Sequence, residues 1–123
     1  MAYEFQVTVD SADPHALAGW WAETLGWQVE PQDGDGAAIR HPDGTGGGPR
    51  VRFQLAPEAR SGRNRLHLDV RIGTDDVRAA IAGLTARGAK VQHLAQQGAY
   101  TWVTLTDPEG NEFRVSPSAS PAD

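Results

Sequence analysis

Apolar side chains recur along this chain with two periods. Phe5, Val7 and Val9 alternate with Glu4, Gln6 and Thr8, and Val51, Phe53 and Leu55 alternate with Arg52 and Gln54. The same period of two returns where Leu66, Leu68 and Val70 oppose His67, Asp69 and Arg71, where Val103 and Leu105 oppose Trp102, Thr104 and Thr106, and where Phe113 and Val115 oppose Glu112 and Arg114. Successive side chains of a strand point to opposite faces, so each stretch predicts a half-buried β-strand with one apolar and one polar face. Two other stretches repeat at three and four: Leu17, Trp20, Trp21 and Leu25 between Asp13-Pro14 and Gly26, and Val77, Ala80, Ile81 and Leu84 between Thr74-Asp75-Asp76 and Gly88. An N-capping acid, a proline in the first turn and a terminal glycine mark the two ends of a helix. Adjacent helix positions diverge by about 100°, so Trp20 and Trp21 cannot both face the core.

A repeat organises these elements. Ile39-Arg40-His41-Pro42-Asp43-Gly44 returns as Leu105-Thr106-Asp107-Pro108-Glu109-Gly110, 66 positions on. Each copy is an apolar strand end entering a turn in which proline presets φ and glycine supplies a positive φ. The helix-closing glycines stand 62 positions apart and Phe53 and Phe113 stand 60 apart, a drift that small loop insertions such as Gly46–Gly48 absorb. Each half reads strand, helix, strand, strand, strand. The pattern predicts a single α+β domain over residues 1–118, with module one at about 3–57, module two at about 64–116, the two helices covering the apolar face of the sheet, and a flexible tail at 117–123.

Composition narrows the class. At 123 residues the chain is one compact domain, whereas either half alone is marginal, so the halves are expected to share a core. A formal charge of −5 excludes the counterion-release binding of nucleic acid. The absence of cysteine removes disulfide and thiol chemistry and fits a reducing cytoplasm. No stretch approaches the ~18 apolar residues of a membrane span, and Met1-Ala2-Tyr3-Glu4 does not open a leader, so a soluble cytoplasmic protein is expected. Arg60, Arg63 and Arg65 read as a solvated loop, with contact to an anion or a substrate carboxylate as the alternative. Gly44-Thr45-Gly46-Gly47-Gly48-Pro49 has no Lys-Ser/Thr pair and opens no helix, so it reads as a hairpin connection and not as a phosphate loop.

The polar face of the strands carries the candidate chemistry. It is either a wet face of the kind antiparallel sheets present, or the lining of a cleft. Gln6, Gln54, His67 and Arg114 fall on equivalent strands of the two halves, so a pseudo-twofold relation would bring them together, with Trp102 as the one large aromatic on that face.

These residues resemble the vicinal oxygen chelate superfamily, which includes glyoxalase I, extradiol dioxygenases and the bleomycin and fosfomycin resistance proteins, and within it the small glyoxalase-like domain proteins. The likeness rests on the Asp13–Gly26 helix with Trp20-Trp21 and Leu25-Gly26-Trp27, on Asn64-Arg65-Leu66-His67-Leu68-Asp69-Val70, and on Asp107-Pro108-Glu109-Gly110-Asn111-Glu112-Phe113, in order across nearly the whole chain. It implies two paired βαβββ modules forming a curved eight-stranded mixed sheet, helices on the convex face and the ligand in the concavity. It also implies a metal held by His or Gln, Glu, His and Glu, positions that fall on Gln6, Gln54, His67 and Arg114. Only His67 is an unambiguous ligand. Gln54 replaces a carboxylate by a neutral amide, and Arg114 replaces another by a guanidinium that cannot ligate. Glu112 shares the face of Arg114 two positions away, while His93 falls in the connection after the second helix and His15 and His41 at a helix start and a turn.

The expected reading is therefore no metal and no cofactor, and a small-molecule ligand bound by Gln6, Gln54, His67, Trp102 and Arg114, with Trp20, Trp21 or Tyr100 as further apolar walls. The expected assembly is a homodimer. Two alternatives stand beside it: an enzyme of the superfamily, using a divalent metal or His67 as general base, and a ligand-free structural dimer in which Arg114, Asp69, Arg52 and Arg71 form an ion-pair lattice.

Overall fold

The computed structural model describes residues 5–30, 34–43, 50–56, 64–73, 76–97 and 100–117. The chain divides into two compact units, residues 1–59 and 60–123, with the boundary between the two predicted modules. The first holds β1 (Val7–Ser11), α1 (Pro14–Leu25), β2 (Gln28–Val29), β3 (Ala37–Arg40) and β4 (Arg50–Leu55). The second holds β5 (Leu68–Arg71), α2 (Val77–Ala86), β6 (Lys90–Gln97), β7 (Tyr100–Thr106) and β8 (Glu112–Ser116). Each is a βαβββ module with a four-stranded mixed sheet, ordered β1-β4-β3-β2 in one and β5-β8-β7-β6 in the other. The first strand of each module runs parallel to the last, and the remaining pairs are antiparallel. The α+β class and the paired modules are as the sequence predicts.

Local chemistry sets the helix ends. In α1 the Asp13 carboxylate accepts the Ala16 amide at 3.2 Å, Pro14 occupies the first turn, and Gly26 closes the helix at φ 70° while donating to the Ala22 carbonyl. Capping of this kind is worth about 1 kcal/mol. In α2 it is Asp76, the last of the predicted acidic run, that caps, accepting the Ala79 amide at 3.0 Å. Thr74, Asp75, Tyr3, Glu4, Arg60, Arg63 and the glycine-rich stretch 44–49 lie outside the described residues.

Parity sorts the core. Leu17, Ala18, Trp21 and Ala22 of α1 are buried in the first unit together with Ala37, Ile39, Val51 and Phe53. Trp20 is only half-buried and stands edge-on to Trp21 at 5.1 Å, so one indole faces the core and the other does not. In the second unit Leu84, Ala89, Val103, Leu105, Phe113 and Val115 are buried. The alternation also assigns Phe5 and Leu66 to the apolar face, yet these are 91% and 88% exposed. Both precede the first paired residue of their strand, Val7 and Leu68, and so have no neighbouring strand to pack against.

The turn that joins β7 to β8 is built on one buried carboxylate. Asp107 is 3% exposed, and its Oδ1 accepts the backbone amides of Glu109 at 2.9 Å and Asn111 at 3.0 Å. The Asn111 side-chain amide donates to both oxygens, at 3.1 and 2.9 Å, and Asn64 donates to Asn111 Oδ1 at 2.8 Å. Gly110 completes the turn at φ 89°. In the first unit His41 stands in the place of Asp107, and its Nδ1 accepts the Asp43 amide at 3.0 Å.

Removing a buried acceptor leaves its donors unsatisfied, which costs more than the bond itself contributes. Asp107→Ala is therefore expected to lower the unfolding free energy by about 2–4 kcal/mol, while Asp107→Asn, which keeps one acceptor oxygen, loses less than half of that. Urea titrations followed by tryptophan fluorescence measure both, and equal midpoints for the wild type and Asp107→Ala would refute this account of the turn.

Candidate functional site

The second unit assembles a polar face on which four strands contribute to one row. Register places His93 opposite Thr104, Thr104 opposite Arg114, and Arg114 opposite Asp69. His67 lies one residue before β5, whose first pair is Leu68 with Phe113. With Gln92, His93, Thr104, Glu112 and Arg114, His67 lines a concavity of about 350 Å³. Trp102, two residues along β7 from Thr104, lies under the Arg114 guanidinium, whose central carbon is 5.8 Å from the ring centroid. That is the outer end of the range of a cation–π contact, and Arg114 itself is exposed.

Asp69 is opposite Arg114 in the sheet, but its carboxylate pairs with His67 instead, Nδ1 to Oδ1 at 3.1 Å. Arg114 makes no hydrogen bond or ion pair among the described residues. Of the predicted set, His67, Arg114 and Trp102 are thus brought together.

His93 is a residue that sequence reasoning missed. The periodicity puts it in a connection, but it belongs to β6, where the register slips between Val91 and His93. Gln92 is the extra residue of this bulge, and its insertion turns His93 onto the face of Thr104. The signal was present as a break in alternation across Val91-Gln92-His93-Leu94, which periodicity alone reads as the lack of a strand.

In the first unit the register separates Gln6 from Gln54. Gln6 lies at the Arg50 end, where Arg50 donates to its Oε1 at 3.4 Å, while Gln54 is paired with Asp10 and donates to its carboxylate at 2.8 Å. Four residues of strand, roughly 13 Å, lie between those levels. The repeat also aligns differently than the phenylalanines suggest. Ile39 pairs with Val51 as Leu105 pairs with Phe113, so the equivalent of Phe113 is Val51, that of Arg114 is Arg52 and that of His67 is Gln6. Burial agrees, since Val51 and Phe53 are buried like Phe113 and Val115, whereas Leu55 is 45% exposed. Arg52, and not Gln54, is the first module's counterpart of Arg114.

The donor set does not fit the metal that the resemblance implies. The carboxylate positions that the resemblance implies hold Gln54 and Arg114, and the residue that register makes the counterpart of Arg114 is Arg52; none is a carboxylate, and guanidinium neither deprotonates nor ligates. Among the described residues no three His, Asp or Glu side chains gather as a metal site requires. A guanidinium ~4 Å from a divalent ion opposes its binding by several kcal/mol at an effective dielectric of about 20.

Residues 6–116 match the glyoxalase-like domain family, and the chain belongs to it. No curated protein matches the sequence. Among solved structures, the fosfomycin resistance protein FosX from Listeria monocytogenes, an E126Q mutant complexed with Mn(II) and 1S,2S-dihydroxypropylphosphonic acid, has a TM-score of 0.77 at 11% identity, over 97% of this chain and 93% of that one. A glyoxalase/bleomycin resistance protein/dioxygenase family enzyme from Burkholderia phytofirmans PsJN has a TM-score of 0.73 at 17% identity, over 90% and 94%. Oxidase ChaP-H2 has a TM-score of 0.71 at 16% identity, over 98% and 96%. At these identities the likeness is one of fold.

If Arg114 blocks a cation, its charge reversal should admit one. Arg114→Glu places a carboxylate beside His67 and Glu112 and is expected to raise affinity for Mn²⁺ or Zn²⁺ at least tenfold over the wild type, measured by calorimetric titration. No gain would mean that these side chains do not share a site.

Proposed function

We propose that this member of the glyoxalase-like domain family binds a small organic anion on the polar face of its second module, and that it does so without a metal. The observation that carries the reading is Arg114: an exposed guanidinium 5.8 Å from the Trp102 ring centroid, with no hydrogen bond or ion pair among the described residues, at a concavity of about 350 Å³. That volume is at the small end of ligand sites. A carboxylate matches the two parallel donors of a guanidinium edge, and such charge-assisted pairs are about twice as strong as neutral hydrogen bonds. Thr104, Gln92 and His93 supply further polar contacts, and the Trp102 ring supplies an apolar surface for the body of the ligand.

His67 favours a second reading. Its Nδ1 is engaged by Asp69 at 3.1 Å, an arrangement that orients an imidazole and leaves Nε2 for proton transfer. In that reading the bound anion is a substrate and His67 is the general base. The two readings part on whether the ligand is recovered unchanged after prolonged incubation with the protein.

The proposal includes a homodimer in the cytoplasm. Phe5, Leu66 and Leu94, at 91%, 88% and 66% exposure, are apolar surface that a second copy would cover. The lack of cysteine suits a reducing compartment. Among the described residues no helix is long and apolar enough to cross a membrane.

Aromatic carboxylates such as benzoate and indole acetate test the site. Saturable quenching of tryptophan fluorescence is expected, lost in Trp102→Phe and weakened about 10–100-fold in Arg114→Gln, with the uncharged amide analogues binding no better than Arg114→Gln binds the acids. Equal binding of acid and amide would refute the role of Arg114. Light scattering is expected to give twice the monomer mass.

A further inference from the structure

The segment that carries His67 reaches its strand with little to hold it. Residues 64–67 precede Leu68, the first paired residue of β5, so no ladder partner fixes them. Arg65 and Leu66 are exposed, Leu66 to 88%, and Arg65 makes no hydrogen bond or ion pair among the described residues. His67 meets Asp69 at 3.1 Å, but the two side chains are 29% and 57% exposed. A pair as open as that contributes too little to hold a segment in place. One side chain does anchor it: Asn64, half-buried, donates to Asn111 Oδ1 at 2.8 Å.

The direction of that bond is dictated from the turn. Asp107 accepts two backbone amides, and a carboxylate offers only acceptors, so the Asn111 side chain can face it only with its NH₂ group. That group donates to both oxygens, at 3.1 and 2.9 Å. The other end of the same amide is an oxygen turned to position 64, where it needs a donor. Turning the amide over would set its oxygen against the carboxylate and its NH₂ against that of Asn64. Position 64 must therefore donate, and a group that only accepts does not fit there. Because Asp107 is 3% exposed, the relay starts from a fixed point. Two ties then bracket His67, Asn64 to Asn111 on one side and Leu68 to Phe113 on the other.

We propose that Asn64 is a positioning residue, which through Asn111 and Asp107 holds His67 at the concavity of the second module. That the concavity binds a ligand is the proposed function, and the role of Asn64 rests on it while its geometry does not. Nδ1 of His67 faces the Asp69 carboxylate, which requires the proton on Nδ1 in the neutral ring. With the segment held, Nε2 is the nitrogen presented to a ligand. With the tie cut, only the pairing of Leu68 remains, and the ring leaves Asp69 and loses its preferred tautomer.

The test uses the full chain labelled with ¹⁵N and reads the His67 ring nitrogens in mildly alkaline buffer, the signals being assigned by their loss in His67→Gln. The wild type is expected to show one tautomer, protonated at Nδ1. Asn64→Leu, uncharged and close in size, and Asn64→Asp, which can only accept, are each expected to move both ring signals toward the tautomer average. Asn64→Gln, which still donates, is expected to restore the wild-type pattern. In the wild type the Asn64 side-chain amide is expected to exchange with solvent about tenfold more slowly than that of exposed Gln28. Unchanged His67 signals in folded Asn64→Leu overturn the proposal. So does an Asn64 amide that exchanges as fast as Gln28, a measurement that needs no variant to fold. Addition of benzoate to the wild type reads the concavity separately: His67 signals that answer to Asn64 but not to benzoate support the positioning role and count against the binding reading alone.

Discussion

The polar face of the second module depends on where the chain reverses before β8. A buried carboxylate at Asp107 gathers two backbone amides and a side-chain amide, which sets how many residues lie between Leu105 and Phe113. One residue more or fewer would exchange the faces of β8, because side chains alternate. Phe113 and Val115 would then leave the core, and Arg114 would enter it. The turn thus sets the polar face through parity: it is the reason a guanidinium stands beside Thr104 and near Trp102 rather than among Leu105 and Val103.

The first module opens the corresponding turn with a different acceptor. His41 Nδ1 takes the Asp43 amide as Asp107 takes that of Glu109 in the second. The connection that follows is longer by four residues between paired positions, Ile39 to Val51 against Leu105 to Phe113. An even insertion preserves which face each side chain takes while shifting the alignment of the repeat. This is why faces were legible in the sequence and equivalences were not: Arg52 and Gln54 share a face, and only the ladder of hydrogen bonds says which of them answers to Arg114.

Other features divide along the same line between local and non-local causes. Asp13, Pro14 and Gly26 announce α1 because capping acts within a few residues, and helix angle alone says that Trp20 and Trp21 cannot both be buried, though not that Trp21 is the one. The strands β2 and β3 are short, and Ala37, Ala38 and Ile39 are all buried, so no alternation betrays them. Ala38 lies on the arginine-bearing face yet is 0% exposed, a burial that its own neighbours in sequence do not foretell. In β6 the bulge at Gln92 erases the period of two, and the strand becomes visible only through its pairing with β7.

Arginine at a position where the resemblance implies a carboxylate changes what the face can hold, not only whether it holds a cation. A metal site works by bringing negative and neutral donors around one charge, and it selects ligands by geometry about the ion. A guanidinium inverts the sign: it repels the ion and offers directed hydrogen bonds in its place, so selectivity passes from coordination geometry to the shape and charge of an acid. Arg114 is exposed and lies 5.8 Å from the Trp102 ring centroid, and Arg52 is half-buried; among the described residues neither meets an anion, which sets both apart from Arg50, whose Nε is given to Glu30 at 3.0 Å.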